Sequence, residues 1–146
     1  MFLPDLARDI FPDWNIRPQT YIDCKEYCDR HQIWLIWCDD EHEEYGCYMV
    51  STDGQEIIVL NKNLDPIMLL WVFLHEIFHR RAHYPNTSHF SPQMNCKNDA
   101  EANDFAAAAM MPRPLIEGED METLINLYQF PSQLVQIRKM MADRGL

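Results

Sequence analysis

Asp65-Pro66-Ile67-Met68-Leu69-Leu70-Trp71-Val72-Phe73-Leu74-His75-Glu76-Ile77-Phe78-His79-Arg80-Arg81-Ala82-His83 reads as one long helix. Asp65 followed by Pro66 is a start signal. The carboxylate accepts from backbone N–H groups that have no partner in the first turn, and proline at the first helical position has no N–H to satisfy. Pro85 disfavours helical geometry just before it, so the helix should end near His83. Ile67 to Leu74 is apolar on every side, which predicts a segment passing through the core. Polar chemistry then begins abruptly at His75, where such a helix would emerge into a cleft.

Within it, His75-Glu76-Ile77-Phe78-His79 has the pattern H-E-x-x-H. Residues four apart share a helix face, so two imidazoles can reach one metal ion. Glu76 is rotated off that line yet close enough to take a proton from a water that Zn²⁺ has made acidic. The expectation is His75 and His79 as ligands and Glu76 as general base. A catalytic zinc usually takes three protein ligands. Glu101, on the next helix, is the first candidate, with Asp99 and Asp104 as alternatives. His83 lies on nearly the same face as His75. It is a candidate for polarising a substrate carbonyl or for a hydrogen bond behind a ligand, and equally for a plain cation at the helix C-terminus.

Upstream, Ile33 to Cys38, Tyr45 to Ser51 and Glu56 to Asn61 are dense in β-branched and aromatic residues and read as strands. Asp53-Gly54 marks a hairpin turn between the last two. Thr20 can cap a helix running to about Gln32, and residues 1–18, with Pro4, Pro12 and Pro18, read as an irregular arm. Downstream, residues 85–96 read as a polar loop, followed by a helix from about Lys97 to Met111 whose run Ala106 to Ala109 allows close packing. Two amphipathic helices follow, near 120–128 and 132–143. The expected fold is α+β, a single domain over 1–146, with a small antiparallel three-stranded sheet packed on a helical bundle that contains the metal helix.

The chain has 146 residues and a net charge of −11, with 23 acidic against 12 basic side chains. That argues against a phosphate backbone as the main partner, because nucleic-acid binding normally begins with a basic face. No apolar run approaches the ~20 residues a bilayer requires. Met1 to Asp5 has no basic stretch leading into an apolar core, and five cysteines cannot all pair within one chain, so a cytoplasmic protein with reduced thiols is expected.

Asp99-Ala100-Glu101-Ala102-Asn103-Asp104-Phe105-Ala106-Ala107-Ala108-Ala109-Met110-Met111-Pro112 resembles the E-A-N-x-F-A-A-x-x-x-M-P helix of the ImmA/IrrE metallopeptidase family. Ile58-Val59-Leu60-Asn61 resembles the strand before that family's zinc helix, and Phe130-Pro131-Ser132 through Arg138 to Gly145-Leu146 resembles its closing helix. The resemblance implies a thermolysin-like zinc site formed by His75, His79 and Glu101, with Glu76 as base. It further implies a helix-turn-helix repressor as protein substrate, in phages, mobile elements or stress operons. A metal-bearing module that binds and inactivates a repressor without cutting it is the alternative. Phe78 departs from the pattern, since the family usually has a small residue before the second histidine; here it either narrows the cleft or packs into the core.

Overall fold

The computed structural model describes residues 2–39, 46–84, 88–89 and 97–146. It is α+β, as expected. Helices α1 (Leu3–Ile10) and α2 (Tyr21–Arg30) precede strands β1 (Trp34–Cys38), β2 (Gly46–Val50) and β3 (Glu56–Asn61). The long helix α3 (Pro66–His83), the two-residue strand β4 (Ser88–His89), and helices α4 (Lys97–Met110), α5 (Arg113–Gly118), α6 (Met121–Asn126) and α7 (Ser132–Asp143) follow.

The sheet order is β1-β3-β2-β4, and this corrects the expected all-antiparallel arrangement. β2 and β3 form the antiparallel hairpin, with Gly54 at φ +87° in its turn. β1 pairs with β3 in parallel, Trp34 opposite Ile57 and Cys38 opposite Asn61. The chain reverses between β1 and β2 and again between β2 and β3, so a strand placed beside β3 rather than β2 must run parallel to it. β4 extends the other edge, pairing with Cys47 and Tyr48. It falls in the span expected to be wholly loop; the rest of that span, Cys96 included, lies outside the described residues.

Two further elements differ from expectation. Residues 3–10 are helical rather than irregular: Pro4 sits at the helix start, and Leu6, Ala7 and Ile10 bury one face. The same segment continues into Phe11 and Trp14, both buried. The Trp14 ring stacks on Phe105 at 6.4 Å, and its Nε1 donates to the Phe105 carbonyl at 3.0 Å. Prolines at 112 and 114, expected only to end α4, start the short α5, since proline is well placed in a first helical turn.

The caps act as the sequence foretells. Asp65 accepts from Ile67 N and Met68 N at 3.1 and 3.0 Å. Thr20 and Asp23 form a reciprocal capping box at the start of α2. From Trp71 to His79 every residue of α3 is buried, between the sheet on one side and α4 on the other. The small side chains Ala106 to Ala109 are fully buried in α4. Phe78 is fully buried as well, its ring 5.4 Å from that of Phe105, so the departure from the family pattern fills the core. No helix is long and apolar enough to cross a membrane among the described residues.

Candidate metal centre

On α3, Trp71, His75 and His79 recur every four residues and so form one stripe. On α4, Asn103 and Asp99 form the matching stripe. Trp71 Nε1 donates to Asn103 Oδ1 at 3.0 Å, which fixes the register of the two helices. One turn further along α3, and one turn back along α4, the histidines meet Asp99. The helices are therefore antiparallel here, and the hydrogen bond at one end aligns the cluster at the other.

Asp99 Oδ1 lies 3.1 Å from His79 Nε2 and 3.5 Å from His75 Nε2. One ligand atom each from His75, His79 and Asp99 lies within 4.8 Å of the others, a group that can hold a metal ion. With zinc–ligand bonds of about 2.0–2.1 Å, donors in a tetrahedral shell stand roughly 3.3 Å apart. The two measured separations bracket that value, and the donor set of two imidazoles and one carboxylate is a zinc-type set, so the residues fit the ion.

Glu101 does not join this group. Two residues along a helix is a rotation of about 200°, so Glu101 faces away from Asp99 and lines a cavity with Leu6, Arg81, Ala82 and His83. Asp104 sits elsewhere again, paired with Arg144 at 3.0 Å. The signal that singles out Asp99 is the stripe Asp99–Asn103–Ala106, which shares a face with the side chain that bonds Trp71.

Glu76 is fully buried, and its Oε1 lies 3.2 Å from His75 Nδ1. Gly46 of β2 is the backbone that lies over it: a Cβ there would stand 2.1 Å from Val72 Cγ1 and 3.7 Å from Glu76 Cγ. Glycine is required by this close approach of strand to helix. His83 lies behind His79, the two Nδ1 atoms 3.0 Å apart. The acidity of the two imidazoles is split by their neighbours. Burial pushes His79 down to about 4, helped by the proximity of His75 and His83 and opposed by Asp99. Burial would lower His75 too, but hydrogen bonds to Asp99 and Glu76 outweigh it and raise its pKa.

The next side chain, Arg80, anchors this end of α3. Its Nε and Nη2 donate to Glu56 of β3 at 2.7 and 3.2 Å, and Nη1 donates to Tyr27 of α2 at 3.0 Å. Tyr48 of β2 donates to the same Glu56 at 2.8 Å.

The model of the family described as the IrrE N-terminal-like domain, Peptidase_M78, matches residues 28–133. The chain belongs to that family. It is a metallopeptidase-type domain, and the matched span covers the sheet, helix α3 with its two histidines and the Asp99 helix α4. No curated protein and no solved structure matches the chain.

Proposed function

We propose that the protein is a zinc-dependent endopeptidase acting in the cytoplasm on a helix-turn-helix repressor or a similar regulatory protein. The observation that carries this reading is the convergence of His75, His79 and Asp99 beside Glu76 in a chain of a peptidase family. Two imidazoles and a carboxylate leave a fourth position open, as catalytic zinc sites do. When bound, the ion supplies Lewis acidity, bringing the pKa of a water toward 7. In this reading Glu76 would take up that proton and return it to the leaving amine. Its burial shields the transfer from bulk solvent. The net charge of −11 suits a partner with a basic face, as DNA-binding proteins have.

One contact favours a second reading. Glu76 Oε1 is 3.2 Å from His75 Nδ1, so its carboxylate also serves to orient a ligand. A module that binds a repressor and inactivates it uncut would keep Glu76 for that purpose alone. Incubating the zinc-loaded protein with the repressor encoded beside it, and analysing the mixture by mass spectrometry, separates the two. Discrete fragments are expected; a stable complex with both chains intact would sink the peptidase reading.

A further inference from the structure

We infer that His83 is a positioning residue: it accepts the Nδ1–H of His79 and so presents His79 Nε2 to the metal. The inference rests on the zinc reading above. A neutral imidazole binds a cation through the nitrogen without a proton, and what the other nitrogen meets decides which one that is. His79 Nε2 faces Asp99 Oδ1 at 3.1 Å, on the side of the ligand group. Its proton therefore belongs on Nδ1, and the atom waiting there, 3.0 Å away, is His83 Nδ1. His83 then carries its own proton on Nε2 and offers Nδ1 as acceptor.

The geometry separates this role from the two alternatives for His83. His83 meets the Nδ1 edge of His79 and Asp99 meets its Nε2 edge, so His83 stands on the side of that ring away from the ligand group. A simple cation at the end of α3 would turn toward the last carbonyls, whereas this ring lies 5.0 Å from that of His79 and packs edge-on to Phe78 at 6.1 Å. The two ligands are thus held differently: His75 by the carboxylate of Glu76, His79 by the imidazole of His83. The second arrangement orients a ligand without adding negative charge to the site.

The test compares His83→Leu, which keeps volume but removes the acceptor, with His83→Gln, whose carbonyl can replace it. Zinc affinity is measured by competition with a chromogenic chelator, and cobalt-substituted protein reports ligand geometry through its visible spectrum. Loss of such a partner weakens metal affinity about 10–100-fold. His83→Leu should show that loss and an altered cobalt spectrum, with the urea midpoint of the metal-free protein unchanged; His83→Gln should regain most of the affinity. Wild-type affinity in His83→Leu, or equal losses in both variants, overturns the inference while leaving the zinc reading intact. Wild-type protein that takes up neither zinc nor cobalt overturns the zinc reading itself, and this inference with it.

Discussion

Asp99 Oδ1 stands 3.1 Å from His79 Nε2, reaching it from α4 across the interface that the Trp71–Asn103 hydrogen bond aligns. The carboxylate that faces the two histidines therefore stands on the face of α4 that holds Asn103, and Glu101 is rotated off it. Asp99→Ala should lower zinc affinity by at least about 100-fold, more than the loss of an outer partner. Glu101→Gln should leave it unchanged. Inductively coupled plasma mass spectrometry of both purified variants decides; a zinc-free Glu101→Gln beside a loaded Asp99→Ala would reverse the assignment.

Glu76→Gln keeps the shape and a hydrogen-bonding group beside His75 but cannot take up a proton. Zinc content should stay at the wild-type level while peptide hydrolysis falls about 10²–10⁴-fold. A variant that still cleaves at the wild-type rate would remove Glu76 from the mechanism.

Metal removal should be visible in stability. Ligand binding to the native state alone adds about 2.7 kcal/mol at a free metal concentration 100 times Kd. In a domain of this size that corresponds to a fall in Tm of about 5–10 °C when a chelator is added. Differential scanning calorimetry of zinc-loaded protein, with and without chelator, measures it, and coincident transitions would mean that the site does not hold zinc.

Gly46 and Val72 form a steric pair. Gly46→Ala places a methyl 2.1 Å from Val72 Cγ1 and should destabilise by about 1–3 kcal/mol. Adding Val72→Ala removes the clashing atom, so the double variant should be more stable than the two single losses sum to. Urea titrations of the four proteins in the cycle give the coupling; strict additivity would show that strand and helix separate freely at this point.

Glu56 links the sheet to the metal helix. Burial raises its pKa, but the hydrogen bonds from Arg80 and Tyr48 outweigh burial and hold it below its ordinary 4.5. The unfolded chain thus binds this proton first as pH falls. The stabilisation is present above about pH 4.5 and is lost as pH drops below that value toward the folded pKa. Glu56→Gln should cost about 1–2 kcal/mol at pH 7 and flatten the acid side of the stability profile. Chemical denaturation repeated between pH 3 and 7 checks both; an unchanged acid limb would show that Glu56 is not among the groups that set it.

Much of this molecule was legible because its signals are local. The Asp65-Pro66 cap, the Asp53-Gly54 turn and the β-branched run of β3 act over a few residues, and the elements begin and end where those signals lie. The histidine pair is equally local, since helical periodicity alone puts His75 and His79 on one face. Helix α1 was hidden by the prolines around it, although Leu3, Leu6, Ala7 and Ile10 carry the helical spacing.

By itself, then, the sequence determined the long buried helix, its two imidazoles and the adjacent carboxylate, because short-range backbone geometry dictates all three. Only the tertiary structure decided that β1 lies parallel beside β3, that Asp99 rather than Glu101 faces the histidines, and that His83 stands behind His79. The first two depend on which faces of separate elements meet in the packed core, and the third on the rotamers that packing imposes. Residues two apart on α4 are equivalent as carboxylates near a motif, and become opposites once one face of that helix is buried against α3.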